Sequence, residues 1–383
     1  MTGTDVAVVG IGIHPFGRHP GVTGLAMGVA ACRAALSDAG LAWSDVDLAV
    51  GGSDAAGNAD TMVASLGLTG IPFANVRNGC ATGGTALLTA CDAIRAGRAR
   101  IALVVGFDKH PRGAFDPDPA DWGLDASYGE TGLMLTTQFF GMKVRRYLHD
   151  HGGSEAVLAA VAAKAYRNGS LNPNAWRREP RTVEEVVASR PVAPPLTQLM
   201  FCSPGEGAVA LVLAAPGELS RFTAPPVFVA AAVMRTRRYG SFEVFSPSLA
   251  VERGPSPSQD AAAAAFEEAG VAPADVSLAQ VQDTESGAEV MHMAECGLCA
   301  DGEQEALILG GATELSGTLP VNTDGGCIAN GEPIGASGLR QVYETTLQLR
   351  GAAGARQVAG SPRVGFTHVY GAPGVSACTV LTR

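Results

Sequence analysis

The sequence predicts an α/β protein made of two similar halves, each a mixed, mostly parallel sheet with crossover helices. Three observations carry this: an echo between residues 30–50 and 260–280, a strand-like opening ahead of each copy, and two glycine-rich loops that each run into an amphipathic helix. At 383 residues the chain exceeds the usual size of one domain, which leaves room for two joined halves.

The echo pairs AACRAALSDAGLAWSDVDLAV with DAAAAAFEEAGVAPADVSLAQ without a gap, setting Ala34 against Ala264, Gly40 against Gly270, Asp45 against Asp275 and Leu48 against Leu278. Each copy reads as a helix ended by glycine, a short loop and a buried strand. The openings are DVAVVGIGI at 5–13 and VFVAAAVM at 227–234. Strand, helix and strand in that order require crossover connections and hence parallel neighbours. The first half is placed at 1–220 and the second at 225–383, with the proline-bearing APPVF as the joint. Residues 111–200, with PRGAFDPDPADWG and RREPRTVEEVVASRPVAPPL, fit neither pattern and read as a loop excursion from the first half, the usual place for a binding segment.

A net charge of -10 argues against a nucleic-acid partner, and no Lys/Arg cluster interleaves with aromatics. Every apolar stretch is cut by Gly, Pro or charge before membrane-spanning length. Eight scattered cysteines and an opening without a basic signal region point to a reducing cytoplasm. Cys296 and Cys299 have C-x-x-C spacing, but no second pair answers at ligand distance, so no metal is expected.

Three stretches hold candidate chemistry. In VRNGCATGGTALLTA, Cys80 lies in a tight turn at the start of a helix pattern, where unpaired N–H groups and the helix dipole favour thiolate; a buried structural cysteine is the competing reading. In VNTDGGCIANGEPIGASGLRQVYETTLQLRG, Glu332 is held between Gly331 and Pro333, and burial near Cys80 would raise its pKa and let it pass protons. A solvated loop acid fits those residues equally well. In GFTHVYGAPGVSACTVLTR, His368 ends a strand pattern beside Gly371, with functional and structural readings balanced. His14, His19, His110, His149 and His151 read as surface residues, and His292 as a core histidine.

Taken together, the duplication and these loops resemble the thiolase superfamily, most closely its sterol-carrier-protein type, over nearly the whole chain. The carrying elements are VRNGCATGGTAL, CSPGEGAVALVL at 202–213, ECGLCADGE at 295–303 and GGCIANGEPIGASG. The resemblance implies a duplicated five-layer αβαβα fold with two sheets, a nucleophilic Cys80, and CSPGEGAVALVL as a packing segment. It also implies a coenzyme A thioester as substrate with no other cofactor, a homodimer, and in some relatives a small partner subunit with an OB-like fold. His368 stands where related thiolases carry a second acid/base group, and the backbone N–H groups around Cys80, Tyr370 and Gly371 would form an oxyanion site.

Two departures limit what can be carried over. The family histidine between Gly and Pro is Glu332 here, and the H-D-C-F motif with its following Asn-Glu is replaced by QDTESGAE, with Gln282, Thr284, Glu285 and Ala288 at the expected positions. The side-chain oxyanion donors are thus missing on both sides, and losing one such donor costs roughly 3–4 kcal/mol of transition-state stabilisation. The expected function is an acyltransferase that makes or breaks a carbon–carbon bond in an acyl-CoA through acyl-Cys80, with Glu332 and His368 shuttling protons. The alternatives are a retro-aldolase acting on a hydroxyacyl-CoA, with Glu332 or Glu285 as the acid/base group, and a non-catalytic assembly subunit.

Overall fold

The computed structural model describes residues 6–239 and 254–383. The chain begins with β1 (Val6–Gly17), α1 (Gly24–Ala39), β2 (Leu48–Gly52), α2 (Val63–Leu66), β3 (Phe73–Asn75), α3 (Thr82–Arg95) and β4 (Ile101–Lys109). An excursion follows, with α4 (Ser127–Glu130), α5 (Thr136–His151), α6 (Ala156–Ser170), α7 (Val183–Ala188), β5 (Pro191–Ala193) and β6 (Leu196–Thr197), and the chain returns through β7 (Glu206–Ala214). Then come β8 (Val227–Thr236), α8 (Pro257–Ala269), β9 (Leu278–Val281), α9 (Ser286–Glu295) and α10 (Gln304–Leu309). The chain closes with α11 (Gly326–Asn330), α12 (Ile334–Arg350), β10 (Val364–Gly371) and β11 (Val375–Thr382).

The helices that carry the echo are bounded in the same way in both halves. Thr23 caps α1 by accepting the Ala26 N–H at 3.1 Å, and Ser256 caps α8 in a capping box with Gln259. Gly40 and Gly270 end these helices at φ of 68° and 63°, the left-handed region that glycine enters without a Cβ clash. Asp45 accepts the Ala42 N–H at 2.8 Å and Asp275 the Ala272 N–H at 3.0 Å, which fixes the turn into the next strand. Ala49 then pairs in parallel with Phe73, and its counterpart Ala279 bridges in parallel to Val321.

The strands form one sheet in the order β3-β2-β4-β7-β1-β8-β11-β10-β9, beside the small β5-β6 pair. The five strands of the first half and the four of the second read outward from β1 and β8 in matching order, β1-β7-β4-β2 against β8-β11-β10-β9. Two separate sheets are expected from the repeat; instead the halves join where β1 and β8 pair antiparallel over Val6–Val8. Pairing these two edges satisfies backbone groups that would otherwise be open. Parallel pairing belongs to the crossover units, β3-β2-β4 and β9-β10, while β1, β7, β8 and β11 run antiparallel to their neighbours.

Side-chain alternation along β1 builds the layers. Val6 and Val8 enter a core with Leu87 of α3 and Leu339 of α12, whereas Ala7 and Val9 pack with Met27, Ala31 and Ala35 of α1. On the other half Ala261, Ala265 and Phe266 of α8 pack with Phe366, Cys378 and Val380. Helices α3 and α12 therefore lie in the middle, against strands of both halves, with α1 and α8 outside. The excursion is helical rather than a loop: the apolar run AVLAAVAAKAY builds α6, and Val157, Leu158 and Val161 join the second half's core with Val281, Ile328 and Phe366.

The central helices touch through glycines. A Cβ on Gly83 would lie 2.8 Å from the Leu339 nitrogen, and one on Gly338 3.0 Å from the Gly84 nitrogen. Gly106 of β4 is tighter still, because a Cβ there would stand 2.0 Å from the Gly335 carbonyl oxygen. Gly106→Ala is therefore expected to destabilise the protein by at least ~1–3 kcal/mol, the usual range for overpacking. An unchanged urea midpoint would mean that the start of α12 can retreat without cost.

Candidate active site

Cys80 is half-buried in the turn before α3, whose first helical residue is Thr82. Gly79 takes φ 52°, and the Thr82 hydroxyl locks the turn by accepting the Asn78 N–H at 2.9 Å and donating to the Gly79 carbonyl at 2.6 Å. The turn rests on the end of β10: a Cβ on Gly371 would come within 2.5 Å of the Asn78 carbonyl oxygen, and one on Gly79 within 3.1 Å of that of Ala372.

Glu332 arrives from the second half in the link between α11 and α12, after Gly331 at φ 83°. The segment around CSPGEG fastens it: the Glu332 N–H donates to the Ser203 carbonyl at 2.8 Å, and the Gly205 N–H donates to the Glu332 carbonyl at 3.1 Å. Two buried aspartates set the flanking helices. Asp283 accepts the Cys327 N–H at 2.6 Å at the start of α11. Asp108, at the end of β4, accepts N–H groups of Gly335, Asp54 and Ala55 at 2.8, 2.8 and 2.9 Å and so ties α12 to the first half. Burial alone would raise the Asp108 carboxyl, but His110 and those N–H groups hold it below its ordinary value. His110, expected at the surface, is buried here, 3.6 Å from Asp108, because β4 carries it under the start of α12.

These elements bring Cys80 and Glu332 into contact. Burial pushes the Cys80 thiol well above its ordinary value, and the neighbouring Glu332 carboxylate pushes it further, while a hydrogen bond from Gln282 pulls it down. The thiolate expected from the helix start is thus disfavoured, since desolvation and a full negative charge outweigh the dipole's partial positive charge. Glu332 is itself fully buried and raised by burial, with Cys327, Cys80, Ser337 and Arg340 opposing the rise. Its Oε2 has no hydrogen-bond partner among the described residues, and its Oε1 accepts a long 3.4 Å bond from Gln282 Nε2. A buried carboxyl with one oxygen unpaired beside a thiol has the chemistry to accept a proton.

Other sequence candidates fall elsewhere. The Tyr370 N–H, expected to bind an oxyanion, donates to Gln282 Oε1 at 2.6 Å. His368 shares the face of β10 that carries Phe366 toward α8, opposite Val369, which packs with Cys80. It bonds Ser258 Oγ at 2.9 Å, lies 4.4 Å from the ring of His292, and is held well below its ordinary pKa by burial and that histidine. His368 is therefore a neutral core residue, separated from Cys80 by the strand itself. Glu285 caps α9 by accepting the Gly287 N–H, and burial pushes its carboxyl up to about 8, opposed by that bond and by Lys143. Cys202 lies between the two acids, its thiol raised by burial and then by Glu332. Sequence reasoning treated its segment as packing; the Pro204–Gly205 pair was the available sign of a backbone clamp. Lys143, whose ammonium stands 5.5 Å from the Tyr370 ring centre, carried no such sign.

Replacing Glu332 with Gln removes the charge that opposes thiolate, so the pH midpoint for iodoacetamide labelling of Cys80 is expected to fall. A shift of one pH unit raises the thiolate fraction about tenfold on the acid side of the midpoint. Identical wild-type and variant profiles from peptide mass spectrometry would show that the two groups do not interact.

Comparison with known proteins places these residues in a family. Residues 6–179 match the thiolase N-terminal domain family and residues 252–383 the thiolase C-terminal domain-like family. Sterol carrier protein 2 of Oryctolagus cuniculus is 33% identical over 98% of this chain and 71% of its own length. An acetyl-CoA acetyltransferase of Methanothermobacter thermautotrophicus is 33% identical over 97% of this chain and 98% of its own. Among solved structures, the Ltp2-ChsH2(DUF35) aldolase superposes with a TM-score of 0.88 at 25% identity, covering 100% of this chain and 98% of that one.

Proposed function

The chain belongs to the thiolase family, and from that premise we propose that it transfers acyl groups in acyl-CoA thioesters, making or breaking a carbon–carbon bond through an acyl group carried on Cys80. The observation that supports this best is the meeting of Cys80 and Glu332 across the two halves. As the Cys80 sulfur attacks the thioester carbonyl, its proton passes to the Glu332 carboxylate; the carbon–sulfur bond to coenzyme A then breaks, and Glu332 returns the proton to the leaving thiolate. Acyl-Cys80 remains for attack by a carbon nucleophile or by coenzyme A. Glu332 thus acts as base and then acid, which suits a buried carboxyl with a raised pKa. No cofactor beyond the substrate's own coenzyme A enters this scheme.

A second reading draws support from the same carboxylate. Burial and then Glu332 disfavour the thiolate, and the aldolase with the 0.88 TM-score offers a precedent within the fold. In retro-aldol cleavage Glu332 or Glu285 takes the hydroxyl proton of a hydroxyacyl-CoA, the carbon–carbon bond breaks, and its electron pair forms a thioester enolate that is then protonated. A small OB-fold subunit is the partner proposed for this case, in line with the DUF35 component named in that aldolase. A homodimer is proposed for either case: β3 is a sheet edge with Ala74 and Asn75 exposed, and Leu68 nearby is 85% exposed.

Intact-mass spectrometry after incubation with a panel of acyl-CoAs is expected to show one acyl adduct, absent in Cys80→Ala and formed at least ~100-fold more slowly in Glu332→Gln. Labelling and acylation would then move in opposite directions in the same variant. Cleavage of a hydroxyacyl-CoA without any adduct would instead select the aldolase reading. Light scattering at micromolar concentration is expected to give the mass of a dimer, and a clean monomer would overturn the edge pairing.

A further inference from the structure

Glu332 is held by backbone that does not belong to its own half. Its N–H and carbonyl are fastened by Ser203 and Gly205, and the segment that carries those two residues is fastened in turn by Arg177 of the excursion.

Arg177 lies between α6 and α7. Its Nη1 donates to the Ile328 carbonyl at 2.8 Å, the Phe201 carbonyl at 2.9 Å and the Tyr166 hydroxyl at 3.3 Å, and its Nη2 donates to the Ser203 hydroxyl. Its backbone N–H donates to the Ala329 carbonyl at 2.9 Å. One guanidinium thus joins the end of α11, which leads into Gly331, to the segment that clamps Glu332. A planar fork of donors can hold such diverging acceptors together, whereas a single ammonium cannot. The neighbouring Trp176 adds a wall: a Cβ on Gly331 would stand 2.9 Å from its ring, and the Arg177 guanidinium lies 5.4 Å from the centre of that ring.

Every one of these acceptors is a neutral oxygen. Charge opposing the rise of the Glu332 carboxyl comes from Arg340 of α12, so Arg177 is placed to act on that carboxyl through bonds. Because Glu332 Oε2 has no hydrogen-bond partner among the described residues, the carboxyl takes much of its placement from the backbone that Arg177 holds.

We propose that Arg177 is a positioning residue of this site: through Ser203 and the carbonyls of Phe201 and Ile328 it sets where the Glu332 carboxyl stands against Cys80, and so ties the ionisation of the thiol to the seating of the excursion. The inference rests on Glu332 being the proton partner of Cys80.

Iodoacetamide labelling of Cys80 across pH 6–10 tests it without a substrate, because the sign of the shift separates position from charge. Arg177→Lys keeps the charge and loses the fork; Arg177→Met loses both. Releasing Glu332 from Cys80 lowers the labelling midpoint, whereas removing a nearby cation raises it. The midpoint is expected to fall by at least about half a pH unit in both variants, which is about a threefold rise in thiolate at a fixed pH on the acid side. Combined with Glu332→Gln, neither change is expected to move the midpoint further, since an effect carried by Glu332 cannot outlast it. An unchanged or raised midpoint in Arg177→Lys, or an equal fall with Glu332 already replaced, would overturn the proposal. If either Arg177 variant fails to fold, Ser203→Ala, which removes one link and leaves the guanidinium in place, is held to the same test with a smaller fall expected. An unchanged midpoint in Glu332→Gln alone removes the Cys80–Glu332 reading and the proposal with it; a fall there with none in the Arg177 variants removes the proposal alone.

Discussion

The start of α12 is pressed against the first half where no side chain fits between the backbones, and the site depends on that contact. Gly335 lies against the carbonyls of Gly52 and Phe107, each 2.7 Å from where its Cβ would be, and Gly106 faces Gly335 in return. Asp108 then bonds the Gly335 N–H, converting a close approach into a fixed one. Glu332, three residues before Gly335, inherits this position, and Gly83 brings α3 and its preceding turn to the same place from the other half. A methyl group at any of these contacts would separate the thiol from the carboxyl before it altered either residue.

Buried carboxyls near the site divide by how they are satisfied. Asp108 and Asp283 accept backbone N–H groups at helix starts and serve the architecture. Glu332 and Glu285 each keep one oxygen without a partner, Oε2 in the first and Oε1 in the second. Leaving such an atom bare costs on the order of 1–3 kcal/mol, a cost that sets these two carboxyls apart from the two aspartates. Both open carboxyls flank Cys202, so the site holds two acids with elevated pKa values rather than one.

Placing a carboxylate rather than an imidazole beside Cys80 changes how the thiol is activated. An imidazolium would favour the resting thiolate, whereas Glu332 opposes it; in the proposed acyl transfer it takes the proton during attack instead. In that scheme the resting cysteine is a thiol, and acyl transfer depends on groups that stabilise charge only as it forms.

The sequence by itself determined the duplication and its local devices. Gly40 and Gly270, and Asp45 and Asp275, act through bonds within a few residues, so their pattern could be read directly. Cys80 and Glu332 were legible as well, because their loops carry the glycines that close approach demands. Tertiary structure alone decided the rest. It merged two expected sheets into one by pairing the edges of β1 and β8, residues more than 200 apart in the chain. It turned His368 to the far face of β10, where the strand's two-residue period sets direction but not which face meets Cys80. It also raised the Cys80 pKa instead of lowering it, since desolvation and a facing carboxylate are properties of the packed site. Charge and burial depend on what arrives from distant segments, and no local spacing records that.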